Sequence, residues 1–189
     1  MKKILLLAFV TVFMTFGCGG KDDKKRGAIV SQCLAGAPEW VLAGGTGSGV
    51  TSVGAARMTP AGMQFARTAA LGNARDEMAR NISVKVNNML KDFTQTTGIG
   101  DDVVVDTVTA SVSKQVASQT LTGTMQRAIW ESNCGELYVL IEANPSLVMG
   151  EISQGVRSSY QNDNALWQQF QAQKAQDELD AAIMKEFGY

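Results

Sequence analysis

The chain has 189 residues, of which 45% are hydrophobic and 19% are charged, and its formal net charge is −1. This balance is typical of a globular protein, and the lack of a basic excess excludes a nucleic-acid footprint. The sequence contains no histidine, which excludes Ser-His-Asp and Cys-His catalytic systems and every histidine metal ligand. The side chain most often used for proton transfer near neutral pH is thus missing. We predict that the protein is not an enzyme, and we also predict no cofactor and no metal.

The first residues have the layout of a secretory signal. Two lysines precede an apolar run over residues 4–16, which is thirteen residues long, whereas a membrane-spanning helix needs roughly 20. Gly17 and Cys18 follow, and a glycine before a cysteine at this point resembles the lipobox of bacterial lipoproteins, although leucine is usual where Thr15 stands. We predict a signal peptide over residues 1–17 and acyl groups on Cys18 that hold the chain at a membrane. Cleavage by ordinary signal peptidase, or a signal cysteine without a role, stays open as an alternative.

The segment after the signal is charged and short. Residues 18–27 comprise the lipidated cysteine and a predicted tether, whose last eight residues can extend at most about 28 Å. Gly19 follows Cys18 where, in the best-known sorting rule, aspartate would retain a lipoprotein at the inner membrane, and so we predict the outer membrane. Residues 28–189 are predicted to form a single domain, with a helical C-terminal extension from about residue 145.

Residues 38–57 lead from a loop into a strand. Trp40 to Leu42 follow a proline and predict a short extended piece, and the glycine-rich residues 44–49 then predict a flexible loop. The glycine spacing fits neither a P-loop nor a dinucleotide-binding motif. Val50–Arg57 is predicted to form a strand in which Gly54 allows another backbone to approach closely.

A long helix is predicted next, from Thr59-Pro60 to about Gly98. Its apolar residues recur at spacings of three and four and define one buried face: Leu71, Ala74, Met78, Ile82, Val86, Met89 and Phe93. The valines at 105, 108, 112 and 116 keep helical spacing in a second helix, for which a strand is the alternative because β-branched residues favour sheets.

From Leu121 the pattern predicts a β-hairpin with residues 133–135 at its tip and three apolar residues of the second strand on one face: Leu137, Val139 and Ile141. Asn144-Pro145 predicts the capped start of a helix that residues 162–164 interrupt. The final amphipathic segment packs either on its own domain or on another copy of the chain, through an apolar set: Leu166, Phe170, Leu179, Ile183 and Phe187. The predicted fold class is α+β, with a small, mainly antiparallel sheet packed against two or more long helices and a C-terminal amphipathic helix.

Cys33 and Cys134 are left as an even pair if Cys18 is lipidated. Because an exported compartment is oxidising, we predict a disulfide between them, with two separate thiols as the alternative.

One short motif suggests catalysis. Ser111 and Lys114 have the S-x-x-K spacing of penicillin-recognising enzymes, but the SDN and KTG motifs of that family are absent. We interpret both residues as part of a helix face, and we nominate no catalytic residue and no metal site.

Four segments together resemble the Lpp-twenty family of small bacterial lipoproteins: PEW at 38–40, SVGAA at 52–56, FARTAALGNARDEMARNISVKV at 65–86 and WESNCGELYVLIEA at 130–143. The resemblance implies an outer-membrane or surface lipoprotein with a compact α+β domain, in a family that includes flagellar lipoproteins assembling into rings or disks. We therefore predict a scaffold of the cell envelope that is associated with copies of itself or with envelope and flagellar proteins. The alternative is an envelope binding module for an apolar ligand.

Overall fold

The computed structural model describes residues 32–47, 49–99 and 102–188. The predicted signal peptide, Cys18 and the tether lie outside the described residues. The elements follow in this order: α1 (Glu39–Ala43), β1 (Val50–Arg57), α2 (Met63–Thr97), α3 (Asp102–Thr122), β2 (Met125–Glu131), β3 (Glu136–Ala143), α4 (Pro145–Gln161), α5 (Asn164–Phe170) and α6 (Gln173–Phe187). The α+β class, with a small antiparallel sheet against helices and a C-terminal helix, is confirmed.

The three strands pair in the order β1-β3-β2, and both pairings are antiparallel. The β1–β3 register runs from Val50 opposite Ala143 to Arg57 opposite Glu136. The β2–β3 hairpin turns over residues 132–135 and has an irregularity in register between Gln126 and Ala128. The predicted inward set of β3, Leu137, Val139 and Ile141, is buried as expected. Since β3 is central, its inward side chains form the floor on which the helices pack.

Helix α2 lies unusually close to strand β1. A Cβ atom at Gly54 would lie 2.2 Å from the carbonyl oxygen of Ala70 and 2.3 Å from the amide nitrogen of Ala74. Both alanines are fully buried, and Asn73 Nδ2 between them donates a hydrogen bond to Ala55 O at 2.8 Å. The close approach predicted at Gly54 is therefore made by α2, and small residues on both elements permit it.

Beyond the sheet, the helices pack on one another. Helix α2 has 35 residues and is therefore about 52 Å long, far longer than the eight-residue strand that it covers. Its predicted apolar face is buried, and only Leu71 is partly exposed. The opposing helices contribute a common apolar core: Val112 and Val116 from α3, Val148, Ile152 and Val156 from α4, Leu166 and Phe170 from α5, and Leu179, Ile183 and Phe187 from α6. Within the described residues, no helix combines the length and apolar character that crossing a membrane requires.

Three local predictions were wrong. Trp40 to Leu42 belong to helix α1, whose C-terminus is closed by Gly44 in the left-handed conformation. Helix α2 begins at Met63 rather than at Thr59-Pro60, because the preceding residues form a turn that ends at Gly62, where φ is 90°. Helix α3 continues through Leu121, which packs on the core, and the strand begins only at residue 125.

The strand alternative for the valine-rich segment is also excluded, because this segment is helix α3. Val112 and Val116 are fully buried one helical turn apart, and Ser113 Oγ bonds back to the Thr109 carbonyl oxygen. Tertiary burial of one helical face has outweighed the β propensity of these residues.

Candidate functional site

The N-terminal end of the described chain is fixed to the tip of the β2–β3 hairpin. Cys33 and Cys134 form a disulfide with their Cα atoms 5.1 Å apart. The backbone N–H of Asn133 donates to the Cys33 carbonyl oxygen at 3.3 Å, and the side-chain Nδ2 of Asn133 donates to Gln32 O at 3.4 Å. Cys18 lies outside the described residues, fifteen positions before Cys33, and the intervening chain can span at most roughly 50 Å. The hairpin tip is therefore the part of the sheet that the predicted anchor would hold directly.

The loop between β1 and α2 is joined to the same tip. The Met58 amide donates to the Gly135 carbonyl oxygen at 2.7 Å, and Arg57 and Glu136 are partners in the register. The Gly62 amide then donates to Thr59 O at 2.9 Å and closes the loop before α2 begins. We call residues 58–65 and the turn 132–135 the tip surface.

A cavity of about 480 Å³ lies at the other end of β1, beside the glycine loop. Its walls come from α2, from the start of β1 and from the end of α6, and they are mainly apolar: Val50, Met78, Ile82, Val84 and Phe187. Asn81 and Lys85 add polar groups, and Lys85 Nζ lies 3.5 Å from Glu186 Oε1 and 5.6 Å from the centre of the Phe187 ring. The cavity has the size and lining of a small-molecule site.

The glycine loop itself packs against β1. The Thr46 amide donates to Thr51 Oγ1 at 3.1 Å, and a Cβ atom at Gly45 would lie 2.9 Å from the same oxygen. Gly44, Gly47 and Gly49 all have positive φ. These residues therefore shape one wall of the cavity through backbone conformations that other residues rarely adopt.

The residues with catalytic spacing are not gathered into a site. Ser111 and Lys114 are both exposed on α3. The neighbouring carboxylates Asp76 and Glu77 are also on a helix surface, where Glu77 pairs with Arg80 at 2.6 Å. Among the described residues, no group of three His, Cys, Asp or Glu side chains is placed to hold a metal ion.

Of the two alternatives for the final amphipathic segment, the structure shows packing on its own domain. The apolar face of α6 packs on its own domain, since Leu179, Ile183 and Phe187 are all buried. The edges of β1 and β2 remain without a strand neighbour within the described sheet. At the β1 edge, the carbonyl oxygen of Ala55 accepts a hydrogen bond from the Asn73 side chain. On the β2 edge strand, Ile129 is 42% exposed.

The outward face of the sheet carries an aromatic pair. The rings of Trp130 and Tyr138 lie 5.5 Å apart, and Tyr138 Oη donates to Glu136 Oε2 at 3.0 Å. Burial raises the pKa of the Tyr138 hydroxyl, and Glu136 raises it further through the hydrogen bond and its charge. Arg127 forms an ion pair with Glu142 on this face, so β2 presents both charged and apolar groups.

Two structural roles could not be read from single residues of the sequence. Asn73 lies inside the family-like segment 65–86, and its side chain donates a hydrogen bond to a strand carbonyl 18 residues earlier. Asn133 lies at the predicted hairpin tip, and its side chain donates a hydrogen bond to the backbone about 100 residues earlier. In the sequence, each role is indicated only by the presence of an asparagine, on a helix face for Asn73 and at a hairpin tip for Asn133.

The chain matches a known protein family. The family model described as LPP20 lipoprotein matches residues 38–144, which is more than half of the chain. The match includes the sheet, the disulfide partner Cys134, α2 and α3, and it ends where α4 begins. No curated protein matches the chain.

Proposed function

Because the chain belongs to the LPP20 lipoprotein family, we propose that it is a lipid-anchored scaffold of the cell envelope, held in the outer membrane through Cys18. The observation that carries this proposal is the family match together with a cysteine at the edge of a short N-terminal apolar run. Acyl groups on one residue are sufficient for stable anchoring when two or more chains are present, since each buried methylene contributes about 0.8 kcal/mol.

Palmitate labelling with membrane fractionation tests the anchor. We expect label on the wild type and none on Cys18→Ala, with the wild type in the outer-membrane fraction. A Cys33→Ala/Cys134→Ala variant is the matched control, because it removes the other two cysteines and keeps Cys18. An unlabelled wild-type chain that is exported in soluble form would refute the anchor.

We propose further that the scaffold works through protein–protein contact. The terminal helix is occupied within its own domain, so we assign self-association to the edge of β2, where Ile129 is exposed. Analytical ultracentrifugation of the wild type is compared with Ile129→Lys and with Leu147→Lys, which changes an exposed apolar residue on α4. We expect only Ile129→Lys to dissociate the oligomer, and a strictly monomeric wild type at cellular concentration would contradict the proposal.

Association with the flagellum is the more specific part of this role, and its support is the family resemblance. Isolated flagellar basal bodies would contain the protein in stoichiometric amounts if it belongs to them. Its recovery only in bulk outer membrane would restrict the role to a general envelope scaffold.

We propose no catalytic activity for the chain. The exposed positions of Ser111 and Lys114 support this, because an S-x-x-K nucleophile requires a sheltered site in which the lysine faces the serine. The Ser111→Ala and Lys114→Ala variants should therefore fold, and each should restore function in a strain that lacks the protein as well as the wild type does. Loss of function in both, with unchanged stability, would reopen the assignment to an enzyme.

The cavity beside the glycine loop favours a second function, the binding of an apolar envelope ligand. Its volume of about 480 Å³ and its apolar walls suit a lipid-like molecule, and Lys85 stands at its edge. Val84 is 58% exposed and lines the cavity, so Val84→Trp should fill the entrance, whereas Val103→Trp alters a residue of similar type on α3. Mass spectrometry of organic extracts should find a ligand in the wild type and Val103→Trp only. An empty wild type would remove this function.

A further inference from the structure

We propose that the tip surface is a second membrane contact, in which Met63 and Phe65 enter the headgroup region of the bilayer that holds Cys18. This inference rests on the proposed lipid anchor and adds a surface to it. Met63 is 53% exposed and Phe65 is 59% exposed, and both lie in the first turn of α2. Single exposed apolar residues are common on proteins. Met63 and Phe65 are two positions apart and point to opposite sides of the helix, but side chains in a first turn lean toward the helix N-terminus, so a bilayer that faces this end of the domain can contact both.

The geometry places this patch level with the hairpin tip. Gly54 faces Ala70 and Ala74, so the middle of that contact is near position 72 of α2. From there the first residue of α2 lies about 14 Å toward the tip. Strand β1 ends at Arg57, about 10 Å in the same direction. The start of α2 therefore reaches the same end of the domain as the turn that carries Cys134.

The anchoring chain arrives at this same end. The disulfide and the hydrogen bonds of Asn133 fix residues 32 and 33 to the turn, and Met58 joins the β1–α2 loop to it. Only fifteen positions separate Cys18 from Cys33, so the anchor keeps the tip within roughly 50 Å of the bilayer. The opposite end of α2, where Thr97 lies about 51 Å farther along the helix, has no such restraint. The anchor therefore gives the bilayer a high effective concentration near Phe65, which makes the bilayer the favoured partner of this surface.

The chemistry of the tip surface favours an apolar contact over an electrostatic one. Neither segment of the tip surface, residues 58–65 or residues 132–135, contains a charged residue. A methionine and a phenylalanine supply apolar area that can enter the boundary between headgroups and acyl chains. We therefore expect the contact to be insensitive to salt and to the fraction of anionic lipid.

Fluorescence quenching in the intact lipoprotein tests the contact. The acylated protein is reconstituted into phosphatidylethanolamine–phosphatidylglycerol vesicles with brominated acyl chains, as Phe65→Trp or as Leu147→Trp. Leu147 is the matched control, since it is 56% exposed, lies in the first turn of α4 and follows the end of β3 that is farthest from the tip. We expect quenching beyond the wild-type background at position 65 only. Equal quenching at both positions, or none at position 65, would overturn the proposal.

A second measurement separates this contact from the anchor. The mature Cys18→Ala chain, which carries no acyl groups, is floated with the same vesicles at millimolar lipid. The double substitution Met63→Ser/Phe65→Ser should weaken its binding at least about tenfold, because it removes two apolar side chains. Leu147→Ser should not weaken it. If palmitate labelling fails while this difference persists, the anchor is wrong and the contact stands. If the double variant binds vesicles unchanged but becomes monomeric in ultracentrifugation, a second copy covers the patch and the membrane contact is refuted.

Discussion

Replacing Gly54 by alanine would push helix α2 away from the sheet. The new Cβ atom would lie 2.2 Å from Ala70 O, 2.3 Å from Ala74 N and 2.8 Å from Ala74 Cα, whereas ordinary contacts begin at 3.4 Å. The helix backbone would have to recede by about 1.2 Å, the difference between 3.4 and 2.2 Å, because no flexible side chain is available to move. The hydrogen bond from Asn73 to Ala55, now 2.8 Å, would lengthen at the same time.

We expect this substitution to lower the free energy of unfolding by about 3 kcal/mol or more. Inserting one carbon into a packed core typically costs about 1–3 kcal/mol, and a weakened hydrogen bond adds about 1 kcal/mol. Gly72 provides a matched control on the same helix, since a Cβ atom there would meet nothing within 4 Å. Gly72→Ala should therefore stabilise the helix by about 0.5–1 kcal/mol. The same chemical change thus has opposite signs at positions 54 and 72.

Urea unfolding followed by circular dichroism, with the disulfide intact, measures both effects as shifts of the midpoint. We expect the Gly54→Ala midpoint to fall well below that of the wild type and the Gly72→Ala midpoint to rise. A Gly54→Ala midpoint equal to the wild type would show that α2 does not approach β1 as closely as described. Equal destabilisation by both substitutions would show that helix propensity and packing have been assigned wrongly.

Three other predictions concern stability. Cys134→Ser removes the disulfide that closes a loop across 101 positions, and it should lower the free energy of unfolding by up to about 4–5 kcal/mol in the chain-entropy model. A reducing agent should lower the urea midpoint of the wild type to that of the variant. A wild-type midpoint that the reducing agent leaves unchanged would argue against a bond to Cys33. Asn144 accepts a hydrogen bond from the Ser146 amide at the start of α4, so Asn144→Ala should cost about 1 kcal/mol in urea unfolding, and no loss would mean that the cap is not formed. Burial raises the pKa of Tyr160 to about 12; since the unfolded chain loses this proton near pH 10, stability is complete below pH 10 and falls by roughly 2–3 kcal/mol as the pH rises to 12. Tyr160→Phe should show a smaller fall over that range, and an identical fall would refute the assignment.

Local rules predicted the features that depend on neighbouring residues. The apolar spacing of α2 identified its buried face because a helix repeats every 3.6 residues whatever it packs against. The alternation in β3 and the turn chemistry at 133–135 identified the hairpin, and the Asn144-Pro145 pair marked the start of α4. The family resemblance drew on the same segments, and the match over residues 38–144 agrees with it.

Where the local signals conflicted, the sequence was insufficient. The valines of α3 suit a strand as well as a helix, and only the burial of Val112 and Val116 against neighbouring helices decided between them. Thr59-Pro60 has the residues of a helix start, but Gly62 at φ 90° delays the helix to Met63 because the preceding loop is tied to the hairpin turn.

The sequence by itself determined the class of the fold, the faces of its main elements and the signal-like layout that ends at Cys18, since these follow from composition and short-range spacing. Only the tertiary structure decided that Cys33 reaches Cys134, that α6 folds onto its own domain, and that the start of α2 lies at the same end of the domain as the hairpin turn. Each of these depends on residues far apart in the chain being brought together. Such contacts form through the combined burial of many side chains, and no spacing within one segment encodes them.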